Sequence, residues 1–156
     1  MSALYFDSSS LVKRYSREIG TNWVFSLVRA SAKNRLYLAR ITGVEVIAAL
    51  TKRMRVGSLG AAAAAKAINR FEREFSNRYL LIEISPQVIQ KAMDLAKAHT
   101  LRGYDAVQLA SAIQANQDRI SIGGRCLQNK SEPFTHRRFF LRRQIRQQML
   151  KIKFER

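Results

Sequence analysis

Residues 3–17 read ALYFDSSSLVKRYSR. Four apolar residues run straight into Asp7, and three serines follow it. A continuous apolar run of this length, closed by a polar residue, fits a strand buried on both faces. From Ser8 to Arg17 the apolar residues Leu11, Val12 and Tyr15 fall on one helical stripe, with Ser8 placed to cap it. Asp7 therefore sits where a buried strand hands over to a helix. Open α/β sheets gather their ligands at that edge.

The same pattern recurs along the chain. Gly20 ends the first helix, and Thr21 opens a second with Trp23, Val24, Leu27 and Val28 facing inward. Leu36–Ala39 is a second strand. Thr42 is placed to cap a helix carrying Val44, Val46, Ile47 and Leu50, with Glu45 near its start. After Gly57, residues 58 to about 77 form a long helix whose AAAAA run at 61–65 suits it, alanine being the strongest helix former. Tyr79–Ile84 is a third strand. Ser85 and Pro86 make a strong helix start that runs to about His99. Leu101–Asn116 is another helix, with Asp105 near its start, and Arg119–Ile122 reads as a fourth strand. Strands alternating with helices predict an α/β domain with a parallel sheet covered on both faces.

The chain has 156 residues, enough for one domain and too few for two ordinary ones. Hydrophobic residues make up 47%, which excludes intrinsic disorder of the whole. Cys126 is the single cysteine, so no intrachain disulfide can form. No apolar run precedes the first charge as in a signal peptide, and none reaches membrane-spanning length. A cytoplasmic protein is expected.

Charge is the outlier: 28 Lys and Arg against 11 Asp and Glu, net +17. It is uneven. Residues 119–156 hold 11 of the basic residues and only 2 of the acids. A basic surface draws polyanions by counterion release, which makes nucleic acid the first partner to consider. From residue 123 the helical and strand periodicities fail, apart from a basic stretch at 137–156 that could be a helix. The expected organisation is thus a folded unit over 1–122 and an atypical basic tail over 123–156.

Asp7, Glu45 and Asp105 share one placement, at a strand end or a helix start. Each taken singly can be a helix-terminal charge, since acids favour first turns. Together they can converge on one sheet edge although 38 and 60 residues separate them. Three carboxylates in one cleft repel unless a cation lies among them, and hard oxygens suit Mg²⁺ or Mn²⁺. Such an ion can activate water and stabilise a phosphoryl transition state. Beside a basic surface, metal-dependent phosphodiester hydrolysis is the natural chemistry.

LYFDSSSLVKRY, TGVEVIAAL and LRGYDAVQLASAI resemble, in order and separation, the three signature segments of PIN-domain proteins, and most of all the VapC-type toxin ribonucleases of toxin–antitoxin pairs. The resemblance covers residues 3 to about 120. It implies a PIN-like three-layer α/β/α fold with a central parallel sheet of four to five strands. It implies that Asp7, Glu45 and Asp105 are catalytic and bind Mg²⁺ (or Mn²⁺). Ser9 would support the first acid, and Thr42 matches a hydroxyl position three residues before the Glu. It implies RNA as substrate, products with 5′-phosphate and 3′-hydroxyl ends, a homodimer, and a cognate antitoxin that binds and inhibits. The apolar helix faces within 21–31 and 58–77 are candidate dimer surfaces. Lys13, Arg14 and Arg102 are candidate phosphate contacts.

One departure stands out. The family carries a further acid after its fourth strand, in a segment like F-x-S-A-D, whereas this chain reads RISIGGRCL. Residues 120–126 can be encoded by ATT TCA ATC GGC GGA CGA TGC. Read one base later, those codons give Phe-Gln-Ser-Ala-Asp-Asp. His136–Phe139 can likewise yield Thr-Glu-Gly-Phe, which resembles the segment near family C-termini. A frameshift near residue 120 would explain both the missing acid and the arginine-rich tail. Sequencing the coding DNA tests this: codons that forbid Ser-Ala-Asp in the shifted frame would end the idea.

Other chemistries find no support. His99 and His136 lack zinc-ligand spacing. Ser8–Ser10 lack a nucleophile-elbow context, and Gly123-Gly124 lacks the phosphate-loop Lys. Tyr5, Tyr15, Trp23, Phe71 and Phe75 read as core, while the tail's Phe134, Phe139, Phe140 and Phe154, set among Arg, could stack on RNA. Two rival readings remain at this level: a catalytically impaired PIN-fold relic that only binds antitoxin or nucleic acid, and a structure-specific nuclease outside toxin–antitoxin systems.

Overall fold

The computed structural model describes residues 2–123 and 152–154. Its elements follow the order β1 (Ala3–Tyr5), α1 (Ser8–Val12), α2 (Thr21–Val28), β2 (Arg35–Ala39), α3 (Thr42–Arg55), α4 (Ala61–Asn77), β3 (Leu80–Ile82), α5 (Pro86–His99), α6 (Gly103–Gly123) and β4 (Ile152–Phe154). A single 3₁₀ turn at Ala30–Ala32 leads into β2.

The sheet order is β3-β2-β1-β4. β1 and β2 pair in parallel with Leu4 opposite Leu36, and β2 and β3 pair in parallel with Leu38 opposite Leu81. β4 pairs antiparallel with β1, Leu4 lying opposite Lys153. Alternation along each strand splits the core in two. Leu4, Phe6, Leu36 and Leu38 face one side and pack with Leu11, Val24, Val28, Val46, Leu50 and Phe71 from α1–α4. Ala3, Tyr5, Tyr37, Ala39 and Ile82 face the other and meet Ala112 and Ala115 of α6. A separate cluster, Val88, Ala92, Ala106 and Ala110, joins α5 to α6. Two covered faces explain why the strands are continuously apolar.

Several boundaries differ from the sequence expectation. Residues 119–122 are the end of α6, not a strand, and no Gly or Pro between Gly103 and Gly123 interrupts that helix. The fourth strand comes instead from residues 152–154, which corrects the expected helix there. Among the described residues the sheet has three parallel strands and one antiparallel edge strand, fewer parallel strands than four to five. The remainder of the 123–156 tail, with Cys126, Glu132, His136 and its phenylalanines up to Phe140, lies outside the described residues. α1 ends at Val12 rather than Arg17. Asp7, not Ser8, caps it. Ile41 occupies the cap position of α3, so Thr42 is the first helical residue and is fully buried.

Val24, Val28, Ala64, Ala67 and Phe71 of the candidate dimer faces are buried within this chain, whereas Phe25 on α2 stays exposed. Gly43 permits a close helix contact: a Cβ there would lie 2.8 Å from Cζ of Phe75 on α4. Ser85 caps α5 by accepting a hydrogen bond from the Val88 N–H at 3.3 Å, ahead of Pro86 at the first turn. Ser85→Ala is expected to cost about 1 kcal/mol, read as a lowered urea midpoint at unchanged slope.

A polar cluster is buried beneath α1. Arg14, only 6% exposed, makes a two-pronged ion pair with Glu74 of α4 through Nε at 2.6 Å and Nη2 at 2.7 Å. The Tyr15 hydroxyl donates to Glu74 at 2.5 Å and meets the Tyr79 hydroxyl at 2.6 Å. Arg70 adds a third cationic contact at 3.1 Å. Arg14 is thereby engaged within the fold, which removes it from the candidate phosphate contacts.

Candidate active site

Asp7 and Glu45 reach the same sheet edge for the same reason. Asp7 follows β1, and Glu45 lies in the first turn of α3, which follows the parallel neighbour β2. Asp105 lies in the first turn of α6.

Asp7 is held through both carboxylate oxygens. Oδ1 accepts the Ser10 N–H at 2.9 Å, and Oδ2 accepts the Ser9 hydroxyl at 2.8 Å. The helix-cap role weighed for this residue is therefore real, and it leaves the carboxylate oriented at the edge.

Glu45 is half-buried, and its strongest hydrogen bond comes from a residue that the sequence did not flag. Gln108 of α6 donates from Nε2 to Glu45 Oε2 at 2.6 Å and to Thr42 Oγ1 at 3.0 Å. Its Oε1 accepts the Tyr5 hydroxyl at 2.6 Å. Gln108 is 6% exposed and sits among small buried neighbours, Ala106, Ala110, Ser111 and Ala112. A signal for it existed. Gln108 follows Asp105 by three residues, on the same helical face, and is the one large polar residue among those alanines.

Burial pushes the Glu45 carboxyl above its usual range. Hydrogen bonds from Gln108 and Ser8 oppose that rise, while the negative fields of Asp7 and Asp105 add to it. The fields of both other acids thus reach Glu45, and no cation is among the strongest influences on it. An all-oxygen, negatively charged edge fits a hard divalent ion such as Mg²⁺ or Mn²⁺. Among the described residues no three His, Cys, Asp or Glu side chains lie together as a group that could hold a metal ion.

Tyr5, buried beneath this edge, has its hydroxyl pK pushed well up by burial, against hydrogen bonds with Ser111 and the Ala39 backbone. It stays protonated and so stays a donor. An open groove of about 640 Å³ runs along α3, lined by Gly43, Val44, Ile47, Ala48, Thr51, Lys52 and Arg55. Of the other candidate phosphate contacts, Lys13 donates to the Ile19 carbonyl at 3.0 Å, and Arg102 is exposed just before α6. Among the described residues no helix is long and apolar enough to cross a membrane.

Comparison with known proteins agrees with this architecture. The family model described as "PIN domain" matches residues 4–129, a span containing Asp7, Glu45 and Asp105. Two curated relatives from Mycobacterium tuberculosis are similar to this chain: Ribonuclease VapC45 of strain CDC 1551 and Ribonuclease VapC49 of strain H37Rv. Each is 35% identical over 113 residues, covering 72% of this chain and 76% of the relative. On a family match over most of its length and on relatives at this identity, the chain belongs to the PIN-domain family, in its VapC-type branch.

Proposed function

We propose that this chain is a metal-dependent endoribonuclease, the toxin component of a toxin–antitoxin pair, which hydrolyses RNA phosphodiester bonds. The observation that carries the proposal is the shared edge of Asp7, Glu45 and Asp105, with Glu45 gripped by a buried glutamine, in a chain similar to proteins named ribonucleases.

Asp7, Glu45 and Asp105 would hold Mg²⁺ or Mn²⁺. When bound, such an ion lowers the pKa of a coordinated water and offsets charge on the phosphoryl oxygens. Ser9 keeps Asp7 turned to the edge. Gln108 and Thr42 keep Glu45 there. Lys52 and Arg55 in the groove, with Arg102, are placed to take the phosphate backbone, which would make substrate binding weaken steeply with salt. The nuclease unit is residues 1–122, with 123–156 a separate basic tail. The proposed partners are an RNA substrate, a cognate antitoxin protein and a second copy of the chain, in the cytoplasm.

Chelation is the direct test. RNA cleavage by the purified chain should stop with excess EDTA and return with Mn²⁺ or Mg²⁺, leaving 5′-phosphate ends that a phosphate-dependent exonuclease accepts. Cleavage that persists in EDTA would refute the metal mechanism. Mn²⁺ binding without cleavage would mean that three acids without the fourth hold the ion but do not turn over.

A further inference from the structure

We propose that Gln108 is a positioning residue for Glu45, and that Tyr5 sets its amide; the inference rests on the metal-site reading above. The argument is one of donors and acceptors. A glutamine amide has one acceptor oxygen and one NH₂ with two protons. Here both protons are used, on Glu45 Oε2 and Thr42 Oγ1, and the oxygen accepts from Tyr5. The reversed amide would bring its oxygen against the Glu45 carboxylate, two acceptors face to face. Tyr5 prevents that reversal by donating to Oε1 from the buried face of β1. One chain of hydrogen bonds therefore ties β1, α3 and α6 together at the candidate metal edge.

The residue type is informative. A purely structural filler in this alanine-lined seam would be apolar, because an imperfectly satisfied polar group there costs stability. A glutamate would add a fourth negative charge against Glu45, and a methionine or leucine could not donate. Only a neutral donor with its own acceptor fits between a protonated tyrosine and a carboxylate. Residues that orient ligands in this way usually matter to the metal nearly as much as the ligands themselves.

The test is Mn²⁺ binding by calorimetry on the full chain, without RNA, alongside thermal unfolding. Gln108→Leu should weaken Mn²⁺ by on the order of 10–100-fold. Tyr5→Phe should weaken it severalfold with little change in melting temperature, and the double variant should lose no more than Gln108→Leu alone. Gln108→His, which keeps an N–H donor, should recover part of the affinity. Glu45→Gln is the control on the underlying reading. Should Glu45→Gln abolish binding while both Gln108→Leu and Tyr5→Phe bind as wild type, the positioning role is wrong and the metal site stands. Should Glu45→Gln itself bind normally, the metal-site reading falls and this inference with it. If Gln108→Leu does not fold, Tyr5→Phe decides: normal affinity overturns the proposal, and a severalfold loss in a stable protein supports it.

Discussion

Asp7→Asn is expected to remove Mn²⁺ binding and to lower RNA cleavage by on the order of 10²–10³-fold, the scale seen when one group that stabilises transition-state charge is lost. Asparagine distinguishes the cap that the structure shows for this side chain from the metal-ligand role proposed for it. As the cap of α1, Asp7 accepts the Ser10 N–H, and asparagine caps as well as aspartate. The fold should therefore hold, with a stability change under about 1 kcal/mol. What asparagine lacks is the charge. Calorimetry, cleavage and a melting curve on one preparation separate these effects. Asp7→Asn that melts as wild type and still binds Mn²⁺ at wild-type affinity would mean that Asp7 is a cap and nothing more. Asp7→Ala should in addition lose about 1 kcal/mol through the missing cap.

Glu74→Ala is expected to destabilise the fold by roughly 3–5 kcal/mol, because it strands the buried Arg14 guanidinium without its partner. At this chain length that corresponds to a melting temperature lower by roughly 6–20 °C. Replacing both residues by apolar ones of similar volume, as in Arg14→Met with Glu74→Leu, should restore much of the loss, since an apolar pair leaves no charge unpaired. Burial alone would push the Glu74 carboxyl up, but Arg14, Tyr15 and Arg70 overcome that and hold it down at about 2. The direction of the pH effect follows. A carboxyl whose pKa is depressed in the folded state contributes stability above its unfolded value, near 4.5, and loses it as pH falls toward about 2. Acid unfolding of the wild type should thus steepen across that interval, and Glu74→Gln should flatten it. An unchanged acid limb in Glu74→Gln would show that the pair contributes no net linkage. Burial raises the Tyr79 hydroxyl to about 12, so it remains a donor or acceptor and carries no charge throughout.

The strands β1, β2 and β3 were legible because each is a short apolar run closed by polar residues, and both faces of the sheet are covered. The end of α6 was misread for a related reason. Arg-Ile-Ser-Ile alternates like a strand, yet a four-residue alternation is also compatible with a helix that nothing interrupts. The apolar residues expected along α6 are Val107, Leu109, Ala110 and Ile113. The structure buries Ala110 of these, together with Ala106, Ala112 and Ala115: Ala106 and Ala110 pack against α5, and the small Ala112 and Ala115 let α6 lie close against the sheet.

Local chemistry was read less well than element type. Thr42 and Ser8 are both plausible caps in isolation, and each is employed elsewhere. Thr42 accepts a hydrogen bond from Gln108, 66 residues away, and Ser8 supports Glu45. Arg14 looked like a free cation on a basic chain. Its partner, Glu74, is 60 residues distant, and no local pattern announces such a pair.

By itself the sequence determined the alternation of strands and helices, the position of Asp7, Glu45 and Asp105 at element boundaries, and the excess of basic charge, because periodicity, capping preference and composition are properties of neighbouring residues. Only the tertiary structure decided that Glu45 is gripped by Gln108 under the control of Tyr5, that Arg14 is locked to Glu74, and that the edge strand beside β1 comes from residues 152–154 and not from 119–122. Those outcomes depend on which distant segments meet in a closed core, where a buried donor must find an acceptor and a buried charge its counter-charge.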